Sequence, residues 1–562
     1  MNNIAIFQWA KIYKTIRIMT GKLSKILLFI GCALFLIVSF LGLSYNLDSI
    51  YDEGYLFLSL QSIQDGNIIG MSQANNIIYS VLGNGICGNI YQLRVAGWIF
   101  KLVTAFLFCI ITYSTFDRKS TSLFEYCVLC LLMVLPRMND IILCHNGLAQ
   151  FFLCIAFALG YRILVMDSRW NILVGVLVGV SILFAIFCIL PASILLLAGL
   201  IVLIVVRWKK VLWHIISLGV GLAVGLLLMH VCVVDITKVF QAMKEVAGVV
   251  TTLDRGYDVT SFAINILLFA RDWGFCLVWM VGMIVLSTFL KKTCSKYIGG
   301  ALFVIALLVY SHYQEIPRLT LPMMMSIMWL SLLYNNYVEK ANKSINIDFQ
   351  LLLNISLILS PVILSIGTNV YLGTKMAFFM LPWALLLYRL KWYENKVNLK
   401  LEVSVLIMIL FCLQAYNTIT TIDKNYYKVS DGILRGMHLT DKQYNHFEQC
   451  QTIMTEYDFI PKKSVIYTTQ IGMMTVCYLD GVNCGLYFQP MDFVANADKD
   501  NLLTPDFLFL TDFDIEYSGQ KLSEMQWGWP EDFEVYNIGT PEKEGVGFNT
   551  NRKLFCRKKS IE

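Results

Sequence analysis

The chain has 562 residues, of which 57% are hydrophobic and 15% charged, against about 25% charged in an ordinary soluble domain. With a mean hydropathy of +0.63, this composition excludes a soluble cytosolic enzyme, a disordered chain and a coiled coil, and it points to a polytopic helical membrane protein. The 44 basic and 39 acidic residues leave a net charge of +5, too small an excess over this length for a nucleic-acid binder.

Crossing a bilayer core of about 30 Å takes about 20 apolar residues in a helix. Ten clear spans are predicted at 26–45, 95–115, 147–166, 171–188, 192–206, 211–234, 297–312, 319–336, 349–367 and 400–418, and three weaker ones at 122–136, 273–290 and 376–390. The stretch 261–270 is assigned to the membrane surface, because Arg271 and Asp272 between it and the next span are costly at the bilayer centre. Basic residues cluster in alternate connections, for example Lys11, Lys14, Arg17, Lys22 and Lys25, then Arg207, Lys209 and Lys210; Ile26 to Leu93 holds no Lys or Arg. The positive-inside rule then predicts a cytoplasmic N-terminus at 1–25, a membrane part at 26–418, and an extracytoplasmic segment at 419–562. The first apolar stretch reads as an uncleaved anchor.

The segment 419–562 reads as a compact α/β domain. A helix is predicted at Asp441–Tyr457 and strands at Ser464–Thr469, Leu486–Gln489, Phe507–Thr511, Glu534–Ile538 and Leu554–Cys556, separated by turn signals such as Asp480-Gly481. Four of the 16 cysteines lie here: Cys450, Cys477, Cys484 and Cys556. An oxidising compartment permits disulfides among them, in three possible connectivities. No spacing resembles a metal site. Trp527-Gly528-Trp529-Pro530 is either a sugar-stacking surface or ordinary packing.

Polar groups gather at the expected outer ends of the spans. Asp48, Asp52 and Glu53 follow the first span in the loop 46–94, and an apolar run from Tyr55 to Ile63 suggests a helix resting in the interface. Carboxylates beside a low-dielectric surface can act as bases; equally, Asp52 and Glu53 can cap that helix and complement its dipole. The second outer loop carries Arg137 and Asp140, then His145 and Asn146, either an acid and a base at the mouth of two spans or a local ion pair. Arg318 precedes a span, as a headgroup anchor or a phosphate clamp. Gly367, Gly373 and Lys375 sit in one short outer turn, either an anion nest or a plain helical connection. Arg255 and Arg271 add positive charge. Carboxylates near the first span and cations near later ones suit an anionic, lipid-linked substrate whose reaction needs a base.

An uncleaved first span, an Asp-Glu pair just beyond it, a helix behind that pair, many spans and a C-terminal extracytoplasmic domain together resemble the GT-C glycosyltransferases. The branch most similar is that of the bacterial protein-mannosyltransferases and aminoarabinose transferases. Asp52-Glu53 matches its Asp-Glu motif, and Arg318-Leu319-Thr320-Leu321-Pro322 matches its Arg-Tyr-x-Leu-Pro motif except for Leu319 in place of Tyr. The resemblance covers about 26–418. It implies a multi-pass enzyme of the bacterial plasma membrane, moving a sugar from a polyprenyl-phosphate donor to a glycan, lipid or protein acceptor by an inverting displacement. In that reading Asp52 is the base, Glu53 orients it or the acceptor, Asp140 fills an acidic position of the second outer loop, and Arg318 and Lys375 hold the donor phosphate with Arg255 or Arg271 in reserve. It further implies metal independence in this branch, with a divalent ion used elsewhere in the superfamily. The competing expectations are a polysaccharide polymerase or lipid-linked oligosaccharide handling protein, a transporter without chemistry, and a catalytically inactive paralogue.

Overall fold

The computed structural model describes residues 22–23, 25–45, 50–64, 74–86, 88–116, 122–134, 142–189, 210–240, 379–389, 427–469, 472–487, 490–498, 501–539 and 552–559, with isolated positions between. Five helices among them are long and apolar enough to cross a membrane: α1 (Lys25–Ser44), α4 (Ile90–Tyr113), α6 (His145–Val165), α7 (Asn171–Cys188) and α8 (Val211–Cys232). Each covers an expected span. Helix α4 starts five residues before its predicted boundary, because Asn89 caps it through a bond from Gln92 N to Asn89 Oδ1 of 2.8 Å. The segment expected at 122–136 is the short helix α5 (Leu123–Val134), and that at 376–390 contains α9 (Leu381–Arg389), which meets α5 through Tyr126 and Tyr388, ring centroids 4.5 Å apart. The other expected spans lie largely or wholly outside the described residues, as does the surface helix at 261–270 apart from three positions.

Helices α7 and α8 approach most closely where their small residues meet. A Cβ on Gly179 would stand 2.9 Å from Gly221 Cα and against the Leu218 carbonyl, and one on Gly225 would stand 2.8 Å from Leu183 Cδ2. Lipid offers no hydrophobic drive between helices, so contact of this kind rests on backbones that approach without intervening side chains.

Two further helices follow α1. Helix α2 (Ile50–Gln64) was expected to rest in the interface from Tyr55 onward. It begins earlier and is enclosed by protein: Leu56 and Leu60 pack against Ile77, Ile78, Leu93 and Leu148, while Phe57 and Leu58 pack against the C-terminal residues. Helix α3 (Ala74–Ile86) supplies part of that first cluster.

The C-terminal residues form a short hairpin, β1 (Tyr427–Lys428) with β2 (His438–Leu439), and a five-stranded mixed sheet. In chain order the elements are α10 (Asp441–Glu456), β3 (Val465–Thr468), α11 (Met473–Leu479), β4 (Val482–Asn483), α12 (Pro490–Asn496), β5 (Phe507–Thr511), α13 (Asp512–Glu524), β6 (Phe533–Asn537) and β7 (Arg552–Arg557). The sheet order is β4-β3-β5-β7-β6, parallel over β4-β3-β5 and antiparallel thereafter. Capping boxes at Thr440/Gln443 and Thr511/Asp514 start α10 and α13, each satisfying amides that a helix N-terminus leaves open. Leu486 and Tyr487, expected in a strand, are irregular, and Val482–Asn483 pairs with β3 instead. Cys450, Cys477, Cys484 and Cys556 are all buried free thiols. Trp527 and Trp529 are 4% and 8% exposed within an apolar cluster with Tyr467 and Phe493, so they are packing and not a sugar-stacking surface.

Buried His446 of α10 donates through Nδ1 to the Ile538 carbonyl at 3.1 Å, with the Cys450 thiol 3.8 Å from Nε2. Burial, helped by the Arg552 charge, pushes its pKa down to about 4, against about 6.5 in an unfolded chain. Between those values the unfolded state takes up a proton that the folded state refuses, so stability is full above about pH 6.5 and is lost as pH falls toward 4.

Gly179→Ala lowers the detergent melting temperature, at a cost of about 1–3 kcal/mol for overpacking, whereas Gly219→Ala, which meets nothing within 4 Å, does not; equal melting of the two would contradict the α7–α8 contact. Amide protection in α10, corrected for intrinsic exchange, falls from pH 7 to pH 5, and His446→Gln flattens that dependence; a slope unchanged by the substitution excludes His446 as its source.

Candidate active site

Helix α2 opens with Ile50, so Asp52 and Glu53 lie inside its first turn and not ahead of it. That is not the capping position, though the acids still complement the positive end of the helix. Glu53 is 2% exposed, and its carboxylate sits in the guanidinium fork of Arg94, which is 5% exposed. Arg94 Nε donates to Oε1 at 3.0 Å and to Oε2 at 3.2 Å, and Nη2 donates to Oε2 at 2.7 Å. Nη1 donates to the Leu43 carbonyl at 2.9 Å and the Tyr45 carbonyl at 2.7 Å.

These bonds explain how the local fold arises. Helix α1 tightens to a 3-10 turn at Gly42–Ser44 and the chain leaves it extended at Tyr45. The carbonyls at such an end have no partner within the helix. Arg94, in the second turn of α4, supplies two donors to them and uses the rest of its fork on α2. One side chain therefore ties the end of α1, the start of α2 and the start of α4 together. Trp98, one turn on, donates through Nε1 to Ser39 Oγ at 3.0 Å and so repeats the α1–α4 attachment.

The outer loop was expected to hold carboxylates without a cation. Arg94 overturns this for Glu53: its partner stands 41 residues away in sequence, just past the cation-free stretch. A sequence signal for it exists, since Arg94 is the first basic residue after Lys25, but spacing alone did not connect the two.

The C-terminal residues close on the same end of α1 and α4. Ile90 N donates to the Ile433 carbonyl at 3.1 Å. The Tyr45 ring stacks on His438, with centroids 4.3 Å apart and planes at 15°. Burial holds the His438 imidazole below its ordinary pKa, which favours the neutral ring in that stack.

Of the other expected site residues, the backbone of Asp52 is placed in α2 but its side chain lies outside what is described, and Asp140, Arg255, Arg271, Arg318 and Lys375 lie outside the described residues altogether. His145 and Asn146 open helix α6. Among the described residues, no group of three or more His, Cys, Asp or Glu side chains is arranged to hold a metal ion.

Arg94→Met leaves the Glu53 carboxylate buried without its cation, a change that costs about 3–5 kcal/mol in proteins generally. The expected result is a large fall in detergent melting temperature, partly recovered in the double variant Glu53→Gln/Arg94→Met. Additive losses in the double variant would show that the pair is not coupled.

No family model matches the chain, and no curated protein matches it. Among solved structures, the chain is similar to ArnT from Cupriavidus metallidurans bound to undecaprenyl phosphate, with 12% identity, a TM-score of 0.45, and coverage of 94% of this chain and 98% of that one. It is likewise similar to the apo state of the same protein, with 12% identity, a TM-score of 0.44, and coverage of 94% and 97%.

Proposed function

We propose that the protein is a membrane glycosyltransferase that moves a sugar from a polyprenyl-phosphate donor to an acceptor at the extracytoplasmic face of a bacterial plasma membrane. The observation that carries the reading is the buried Glu53–Arg94 pair, fixed directly behind Asp52 at the end of the first span. It supports a division of labour within the Asp-Glu motif. Glu53 is enclosed and held by several charge-assisted bonds, so it is a structural anion that orients the turn. Asp52 is then the base.

In the proposed reaction the acceptor hydroxyl gives its proton to the Asp52 carboxylate as its oxygen bonds to C1 of the sugar. The bond from C1 to the phosphate oxygen breaks, its electron pair leaves with the polyprenyl phosphate, and the configuration at C1 inverts. Negative charge grows on the leaving phosphate, where a preorganised donor is worth roughly 3–4 kcal/mol. Arg318 and Lys375 are proposed for that role, with Arg255 or Arg271 in reserve, and Asp140 as a further acid at the acceptor side. The 419–562 segment is proposed to be an extracytoplasmic domain over this site.

The test is sugar transfer by the purified full-length protein in nanodiscs, supplied with a panel of undecaprenyl-phosphate monosaccharides. Asp52→Asn is expected to lower kcat about 100-fold or more, the scale of general base catalysis. Transfer by Asp52→Asn near the wild-type rate would remove Asp52 as the base.

A further inference from the structure

Gly54 follows the Asp52-Glu53 pair directly, and helix α11 lies on it. A Cβ at Gly54 would stand 3.0 Å from Met474 Sδ, 3.1 Å from the Met473 carbonyl carbon and 3.1 Å from Met473 Cβ. Only the first of these neighbours is the far end of a flexible side chain; the second is backbone. The Cys477 thiol points at the Gly54 carbonyl, 4.0 Å from its oxygen. One turn further along α2, Phe57 and Leu58 enter the same apolar cluster as Met473, Met474, Val476 and Cys477. Every one of these α11 residues is nearly or wholly buried. Helix α2 is thus gripped twice around its first turn: by the Arg94 fork at Glu53, and by α11 at the residue after it.

Helix α11 is short, but its place is fixed from behind. It leaves β3 at Gly472, whose own Cβ position is filled by Thr468 and Phe509 of the β3–β5 pair, and it ends in a left-handed Asp480, with the Gly481 amide bonding back to the Val476 carbonyl at 3.2 Å. The β3–β5 pair therefore stands directly behind the helix that Gly54 touches. A helix that moves as a body carries all its side chains with it, and a displacement of about 1 Å at a reacting group can cost about 100-fold in rate.

We propose that α11 is the positioning element of the candidate active site: the contact of Gly54 with Met473 and Met474 sets where Asp52 stands, so the C-terminal sheet determines the geometry of the base on the first loop. Met473, Met474 and Gly54 are positioning residues and touch no substrate. This inference rests on the proposed role of Asp52.

The experiment compares wild type, Gly54→Ala, Met474→Ala and the double variant, each full length in nanodiscs, with undecaprenyl-phosphate monosaccharides as donors and hydrogen exchange read in parallel. Gly54→Ala is expected to lower kcat about 10-fold or more while the donor KM stays within about threefold, since a tilted base impairs chemistry before it impairs donor binding. Exchange should quicken at 50–58 and stay unchanged at 512–524 in α13. Adding Met474→Ala, which removes the Sδ atom, should return at least about threefold of the lost kcat by relieving the closest flexible contact. A wild-type kcat in Gly54→Ala overturns the proposal. So does a kcat loss with equal deprotection of 512–524, which is general unfolding, and so does a double variant without recovery. No transfer by the wild-type protein from any donor overturns the proposed function and the positioning role with it; the exchange data then still decide whether α11 grips α2, and unchanged exchange at 50–58 in Gly54→Ala refutes that contact.

Discussion

The arrangement at the end of the first span depends on one buried ion pair. Removing a carboxylate and a guanidinium from water costs several kcal/mol for each ion, and their attraction offsets that only if the remaining donors and acceptors are also satisfied. Arg94 meets this condition by spending its fork on Glu53 and its third nitrogen on the Leu43 and Tyr45 carbonyls. The two carbonyls need donors because a helix ends there, and the carboxylate favours the place because another helix begins there. One helix end, one helix start and one guanidinium thus have complementary needs. A buried pair of this kind is no sign of added stability by itself, since a well-packed apolar replacement is often no less stable.

Much of the helical framework is legible from hydropathy alone. Five predicted spans coincide with α1, α4, α6, α7 and α8, because a run of about 20 apolar residues has few alternatives to a membrane helix. The strand at Phe507–Thr511 was equally readable from a short apolar run between turn signals, and the run at Leu554–Cys556 marks the middle of β7, which extends to Arg552–Arg557. What escaped reading shares a physical cause: it depends on partners distant in the chain. Glu53 looked unpaired because its cation lies in the next long helix. The apolar run of α2 looked lipid-facing because periodicity reports that a face is apolar and not what covers it. Trp527 and Trp529 stayed open between two readings because a Trp pair in a turn has no sequence mark that separates a binding platform from a small core, and their burial decides for packing.

Of the candidate site, the Asp-Glu pair is the part that the described residues reach. An Asp-Glu pair behind a first span marks a place where a charge can matter. It does not say what either acid meets, and for Glu53 the structure does: it is enclosed at 2% exposure and tied to the Arg94 guanidinium. Gly54 carries a further signal that spacing cannot supply. A glycine inside a helix gives up about 1 kcal/mol relative to alanine, so its presence in the first turn of α2 asks for a reason, and the Met473 backbone 3.1 Å from its missing Cβ is one.

Early and late parts of the chain are joined at the same end of the helices by contacts of different chemistry. The Tyr45 ring stacks on His438, Ile90 N bonds to the Ile433 carbonyl, and Phe57 and Leu58 enter the apolar cluster that also holds Met437, Phe447 and Phe507. The Tyr45 residue works in both systems, since its carbonyl accepts from Arg94 while its ring meets His438. A movement of the β1–β2 hairpin relative to α1 would therefore strain either the stack or the Arg94 bonds. Contacts that share a residue in this way do not act additively. The C-terminal residues and the Glu53–Arg94 pair thus meet around the first turn of α2, one through the apolar cluster and the other through the ion pair.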